Sequence, residues 1–403
     1  MKLWAKILIG FVLGAIVGLL VGPPAAALKP LGDLFIRLIK MLIVPLVFSS
    51  LVIGASSMGD VRKLGRVGAK TLAYYLVTTA VAVTIGLILA TLLHPGAGFQ
   101  IPTETYKAKP LPSLVETLLN IIPTNPLGAM VSDNMLQIIA FALFMGVAIA
   151  LIGDKGKPVH AFFDSLAEVM YKITGIVMEF APIGVFALMA WVTATNGPDV
   201  LVPLAKVIFV VYLGCFLHAA VVYSSAVSIF ARMNPLRYFR GFFDASLVAF
   251  STCSSSATLP VSLRCAQENL GVPKDIASFA LPLGATINMD GTSIYQGVCA
   301  LFIAEVYGIP LGMPQYLTII LTATLASIGT AGVPGAGMIM LTMVLQAVGL
   351  PLDGILLIAG IDRVLDMART CVNVTGDGAG AVVVAATEGE LKTLPAGTTL
   401  AGK

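Results

Sequence analysis

Long apolar runs separated by short polar turns fill the first 230 residues, and the hydrophobicity then continues in shorter, broken pieces. A helical span of the bilayer core requires about 20 apolar residues. Six stretches reach that length, centred on 5–22, 32–57, 69–93, 133–153, 166–195 and 201–230. Several exceed it, which implies tilt or a segment lying partly along the interface. Between the third and fourth, the Pro and Gly content of 95–132 predicts a surface loop followed by a short helix.

After residue 240, clusters of Ser, Gly, Pro, Asn and Asp interrupt the apolar runs: STCSSSATLP (251–260), INMDGT (287–292), SIGTAGVPGAG (327–337) and VNVTGDGAG (372–380). Freed backbone groups at membrane depth are tolerated only where protein or a water-filled cavity surrounds them. The four interruptions therefore predict one polar centre. Their order suggests a single unit used twice: a re-entrant hairpin whose tip stops midway, then a spanning helix unwound near its middle. Such interrupted segments in corresponding positions of two halves point to a transporter's binding site. Arg264 and Lys274 flank the first hairpin, while no Lys or Arg occurs between 275 and 362, so the two hairpins are expected to enter from opposite sides.

Composition agrees with a membrane setting. The 403 residues are 58% hydrophobic and only 11% charged, against about 25% charged in a soluble domain. The chain cannot present a wetted surface and is expected to sit in membrane lipid. A net charge of +3 is too small to suggest a nucleic-acid partner. Lys2, Lys6, Arg62, Lys63, Arg66, Lys70, Lys155, Lys157, Arg232, Arg237 and Arg240 fall on one side of the alternating spans. Lys29, Lys107 and Lys109 fall on the other, which predicts cytoplasmic N- and C-termini and an uncleaved first span. Lys172 and Lys206 snorkel from helix ends, and Arg37 and Lys40 either do the same or line an internal interface. The five cysteines form no CxxC pair and the three histidines are scattered, so neither a disulfide framework nor a zinc site is expected.

The chemistry concentrates in IDRVLDMARTCVNVTGD, residues 361–377. Asp362, Asp366, Arg369, Asn373 and Asp377 recur at spacings of three and four, so they share one helix face. Such a face could be a structural ion-pair network. The favoured reading is a site for a zwitterion with an extra acid group. Arg369 suits a carboxylate bound bidentately, Asp366 or Asp362 suits an ammonium, and Asp377 suits a hard cation. INMDGT brings Asn288, Asp290 and Thr292 to the same depth. In a soluble protein it would read as an ordinary turn, but here both flanks are apolar. Ser254, Ser255 and Ser256 at a hairpin tip offer hydroxyls and backbone N–H groups to a carboxylate.

At SSSATLP, GATINMDGT, GTAGVPGAG, DMARTCVNVTGD and, more weakly, KTLAYYLVTTA, the chain resembles the dicarboxylate/amino acid:cation symporter family, which includes glutamate and aspartate transporters. The resemblance implies an all-α polytopic fold with eight transmembrane helices and two re-entrant hairpins in inverted repeats. It also implies a homotrimer whose protomers move a transport domain against a scaffold as an elevator. Scaffold helices would occupy 1–70 and part of 133–230. A transport helix and loop would fill 71–132, with a further transport helix at the end of 133–230, the transport core at 231–390 and a cytoplasmic tail at 391–403. Arg369 would bind the substrate side-chain carboxylate, with Asp362 supporting it, Asp366 on the amino group, and Thr370 and Asn373 completing the pocket. Cys253, Ser255, Thr292, Val333 and Gly337 would contact substrate, and Ser254 belongs to the same tip. One sodium ion would lie among Asp377, Gly284, Asn288 and Asn373. A second would lie among Ser327, Ile328, Thr330, Thr286 and Met289, and a third among Tyr75, Thr78, Thr79, Asn288 and Asp290.

Within the resemblance, neutral amino acid members lack the arginine found here as Arg369, and the dicarboxylate branch lacks the aspartate found as Asp366. Aspartate or glutamate is therefore the expected substrate, coupled to sodium, with no other cofactor. Gln296 stands where animal members that exchange protons and potassium carry glutamate. Cys253 and Met367 depart from the pattern, because many members carry an arginine at one of the two. A prokaryotic inner membrane is expected, since the only N-x-[ST] sequon, at Asn373, would be buried and the 95–132 loop is short. An enzyme reading would need a base beside the serine cluster, and only His218 is a candidate, with no G-x-S-x-G elbow to support it. A passive channel would not need both an amino-acid site and cation ligands. Proton coupling is the remaining alternative, against which the oxygen set at Asn288, Asp290 and Asp377 argues.

Overall fold

The computed structural model describes residues 3–56, 65–99, 119, 122–132, 134–328, 330, 332 and 334–392. Lys2, Arg62, Lys63, Lys107, Lys109, Val333 and most of the 391–403 tail lie outside the described residues. All regular structure among the described residues is helical. The helices are α1 Leu3–Val21, α2 Lys29–Ser56, α3 Gly65–Leu93, α4 Pro126–Val131, α5 Met135–Leu151, α6 Lys157–Glu179, α7 Ala181–Asn196, α8 Leu201–Leu217 and α9 Ser224–Phe230. Then follow α10 Pro235–Thr252, α11 Ser255–Arg264, α12 Lys274–Ile287, α13 Asp290–Val306, α14 Met313–Ser327, α15 Ala336–Ala347, α16 Ile355–Ala359 and α17 Asp362–Thr387. Helices α8 and α9 join through a π-helical segment, His218–Tyr223.

The helices form two packing groups. Helices α1, α2, α5, α6 and α7 pack on one another, and α17 is surrounded by α3, α8, α10, α12 and α13. Helix α1 approaches α7 along Gly10, Gly14 and Gly18, whose missing side chains leave room for the α7 carbonyls of Pro182, Phe186 and Ala190. Small residues spaced by four allow such close packing without a hydrophobic driving force between helices. Thr193 adds a hydroxyl bond to the Ala15 carbonyl at 3.2 Å. Phe48 of α2 meets Phe141 and Phe163, ring centroids 5.8 and 5.5 Å away. Outward-facing side chains are apolar, among them Val12, Val77, Leu92, Phe209 and Phe216, whereas Asp290, Asp362, Asp366, Arg369 and Asp377 are buried. A water-soluble protein distributes these residue types in the opposite sense.

Among the described residues, two continuous helices, Arg66–Leu93 and Pro198–Phe230, are long and apolar enough to cross a membrane alone. The pair Gly153–Val177 and Ala181–Thr195, bent by 53°, makes a third if counted as one span. The single span expected over 166–195 is thus two helices. Pro182 lies in the first turn of α7, where its missing N–H is tolerated and where it starts a helix rather than continuing one. Ahead of the bend, Asp164, Glu168 and Lys172 line an exposed face of α6 at intervals of four.

Three of the four expected interruptions are present. Helix α10 ends at Thr252 and α11 starts at Ser255; α12 ends at Ile287 and α13 starts at Asp290; α14 ends at Ser327 and α15 starts at Ala336. The fourth is not. Helix α17 runs unbroken from Asp362 to Thr387. Its glycines serve close packing instead. A β-carbon on Gly376 would stand 2.4 Å from the Tyr223 hydroxyl, one on Gly378 2.7 Å from the Phe242 ring, and one on Gly380 2.5 Å from the Tyr75 ring.

The two hairpins, α10–α11 and α14–α15, meet tip to tip. The Ser254 hydroxyl donates to the Gly332 carbonyl at 2.6 Å, and the Ser256 N–H donates to the same oxygen at 3.1 Å. At the far end of α17, Glu388 accepts from Arg66 and, at 2.6 Å, from Lys70 of α3.

Two outcomes follow from this packing. Gly378→Val forces the Phe242 ring aside and costs about 1–3 kcal/mol by overpacking, read as a lower midpoint of thermal unfolding in detergent. The hydrogen bonds from Arg66 and Lys70 hold the Glu388 carboxyl below the usual glutamate range. A lowered folded pKa stabilises above the unfolded value and is lost as pH falls through the folded one. Glu388→Gln therefore lowers the midpoint slightly at pH 7, and the difference closes in strong acid.

Candidate functional site

The face of α17 that carries Asp362, Asp366, Arg369, Asn373 and Asp377 turns inward against α12, α13 and the hairpin tips. Arg369 is fully buried. Its Nη1 donates to Asp362 Oδ1 at 2.9 Å, and its Nη2 lies 3.2 Å from Asp366 Oδ1. The Tyr295 ring lies under the guanidinium, 4.1 Å from Cζ to the ring centroid, an arrangement that favours a desolvated cation. Nε has no hydrogen-bond partner, and Nη2 has only its ion-pair contact with Asp366. Together these two nitrogens form the edge of a guanidinium that receives a carboxylate through two parallel bonds.

A small cavity lies between α17 and the two hairpin tips, and Gly337 on its wall packs against the guanidinium. Of the residues expected around a substrate, Cys253, Ser255, Thr292, Gly337, Asp366, Thr370 and Asn373 line this cavity, together with Met289 and Thr330. Asp366 accepts from the Thr370 hydroxyl at 3.0 Å and from the Gly335 N–H at 3.1 Å. Asn373 accepts from the Gly291 N–H at 2.8 Å, and its amide donates to the Thr292 hydroxyl at 3.2 Å. Gly337 sits against Arg369, where a β-carbon would stand 3.0 Å from Cζ. The Ser254 hydroxyl is directed to the tip contact with Gly332.

The expected cation ligands gather in two clusters below the cavity. In one, Asn288 Nδ2 donates to Asp377 Oδ1 at 3.0 Å and to the Asn373 carbonyl at 3.1 Å. Gly284 backs onto Asp377, and Tyr75 donates to the carbonyls of Ala280 and Asp377 at 3.0 and 3.4 Å. In the other, Asp290 Oδ1 accepts from Thr79 at 2.8 Å and from Thr78 at 3.4 Å. Thr78 also lies 3.5 Å from Asn288 Oδ1. Among the described residues no three His, Cys, Asp or Glu side chains converge on a metal position. Each cluster offers one carboxylate with carbonyls and hydroxyls, a donor set for a small hard cation rather than a transition metal. The third expected group is looser. The hydroxyls of Thr286, Ser327 and Thr330 turn back to the carbonyls of Leu283, Thr324 and Ala326 in their own segments. Ile328 ends α14 and Met289 lies at the break between α12 and α13.

Three residues join the site that sequence reasoning did not assign to it, although it had singled out His218 as a candidate base. His218 Nε2 lies 3.0 Å from Asp290 Oδ2, and the Tyr223 hydroxyl donates to the same oxygen at 2.7 Å. Tyr295 is the third. An ionisable residue in the middle of the 33-residue apolar helix Pro198–Phe230 was the available signal for His218. The tyrosines carried none, because a tyrosine in an apolar run reads as ordinary packing.

The comparisons with known proteins bear on this arrangement. Residues 3–387 match the sodium:dicarboxylate symporter family. A proton/sodium-glutamate symport protein of Geobacillus stearothermophilus is 40% identical over 398 residues, covering 96% of this chain and 94% of the relative. A proton/glutamate-aspartate symporter of Escherichia coli (strain K12) is 40% identical over 375 residues, 89% of this chain and 84% of the relative. A C4-dicarboxylate transport protein of Anaeromyxobacter sp. (strain K) is 39% identical over 411 residues, 100% of this chain and 93% of the relative. The match spans both packing groups and every residue of the buried polar site. The chain is an integral membrane transporter, not an enzyme, and belongs to the sodium:dicarboxylate symporter family.

Proposed function

We propose that this protein is a secondary active symporter that imports aspartate or glutamate, driven by sodium. The observation that carries the reading is the Nε edge of buried Arg369, which has no partner and lies behind Gly337 at a cavity that Gly337 and Asp366 line. The edge takes the side-chain carboxylate. Asp366 takes the ammonium, and the backbone N–H groups at the first hairpin tip, with Asn373, take the α-carboxylate. A C4-dicarboxylate has no ammonium for Asp366, so an amino acid fits better. Sodium occupies the oxygen clusters around Asp377 and Asp290, with a third ion at the second hairpin.

The wider reading is eight spanning helices and two re-entrant hairpins, assembled as a homotrimer with cytoplasmic termini. Helices α1, α2, α5, α6 and α7 form the scaffold. The group around α17 moves against it as an elevator, and the second hairpin gates the site. Separate packing of the two groups supports this division.

One observation favours a second reading, proton coupling. His218 Nε2 lies 3.0 Å from Asp290 Oδ2, and its Nδ1 has no partner.

In proteoliposomes, an inward sodium gradient is expected to drive accumulation of radiolabelled aspartate, and choline in place of sodium to abolish it. Arg369→Ala leaves two buried aspartates without their cation, and uptake falls by about a hundredfold or more. Asp377→Asn raises the sodium concentration needed for half-maximal uptake. Uptake in choline driven by a pH gradient, and lost in His218→Gln, would establish the proton-coupled reading instead.

A further inference from the structure

Arg363, in the first turn of α17, is 7% exposed, and the proposed substrate site does not use it. One hydrogen bond engages it: Nη2 donates to the carbonyl of Thr252, the last residue of α10, at 3.3 Å. Its Nε and Nη1 have no partner. The residue lines a second, small cavity whose apolar wall includes Ile7, Phe35 and Val185 and whose polar wall is Asp362, Arg363 and Asp366. Asp366 lines the substrate cavity as well, so it forms the partition between the two.

Arg363 breaks two local rules. A cation in the first helical turn faces the positive end of the helix dipole. Buried donors without partners cost about 1–3 kcal/mol each, and more when charged. Departures of this kind collect at functional sites. The favourable side of the balance is electrostatic. The carbonyl end of α10 carries partial negative charge, and Asp366, three residues on, is a helical neighbour of Arg363. Arg369 alone does not neutralise Asp362 and Asp366, and a substrate of net negative charge deepens the deficit. Cys253, at the tip of the first hairpin, is uncharged.

We propose that Arg363 is a positioning and specificity-determining residue of the substrate site. It holds the first hairpin tip through Thr252 and supplies the second positive charge that allows an acidic substrate to be buried. This inference rests on the acidic amino acid reading above.

The test measures KM and kcat for sodium-driven aspartate uptake by wild type, Arg363→Met, Arg363→Lys and the double variant Arg363→Met with Cys253→Arg. Arg369→Ala runs alongside. Loss of a charge at this range raises KM by about tenfold, with kcat changing less. Arg363→Lys stays within about threefold of wild type, and Cys253→Arg recovers part of the loss by returning a cation to the tip. If Arg363→Met does not fold, Arg363→Gln takes its place and must show the same rise. An unchanged KM in the neutral variant, or a lysine variant as impaired as the neutral one, overturns the inference. Uptake that survives Arg369→Ala overturns the functional reading and this inference with it. Uptake lost in Arg369→Ala but unaltered in Arg363→Met overturns this inference alone.

Discussion

A guanidinium buried at membrane depth has to be paired, and the placement of Arg369 between Asp362 and Asp366 is the constraint around which this protein is arranged. An unpaired charge there costs several kcal/mol. Asp362 holds one end of the guanidinium and Tyr295 covers its face. Asp366 is itself held by Thr370 and by the Gly335 N–H of the second hairpin. The pairing is incomplete: enough contacts fix the group in place, and Nε stays without a partner. A fully paired Arg369 would be a strut. In the proposed function, the unpartnered Nε side is what receives the substrate carboxylate.

The cavity and the oxygen clusters around Asp377 and Asp290 share a continuous hydrogen-bonded path, which the proposed function would use for coupling. Asn373 lines the cavity, and its carbonyl accepts from Asn288, which also donates to Asp377. Asn288 leads in turn through Thr78 to Asp290. A cation placed against Asp377 or Asp290 must compete with these donors for the carboxylate oxygens. Any such competition reorients Asn288 and reaches the backbone of Asn373 at the cavity wall. This gives coupled binding a physical route through neighbouring groups. His218 and Tyr223 lie on the same route, since both meet the Asp290 oxygen that the threonines leave free.

Legibility from the sequence differed by element. The polar face of α17 could be read because helical spacing of three and four is a local property, and charges inside an apolar run are too costly to be incidental. The breaks at 253–254, 288–289 and 328–335 could be read because Ser, Asn, Gly and Pro clusters act within a turn of where they occur. At 372–380 the same cues misled. Glycine permits both a broken helix and a tightly packed one, and only the neighbours Tyr223, Phe242 and Tyr75 decide between them. Pro182 carried the bend at α6 and α7, but a window long enough to find a span averages over a single residue.

The sequence by itself determined the membrane setting, the helical class, the identity of the polar residues and their shared face on α17, because composition and periodicity act along the chain. Tertiary structure alone decided which of those residues meet. The tip contact between Ser254 and Gly332 joins positions 78 residues apart, and the contact between His218 and Asp290 joins positions 72 apart. The reach of Arg363 to Thr252 spans 111. No local rule encodes such distances. They are set by the requirement that buried polar groups find partners in three dimensions, and that condition is met only by the packed whole.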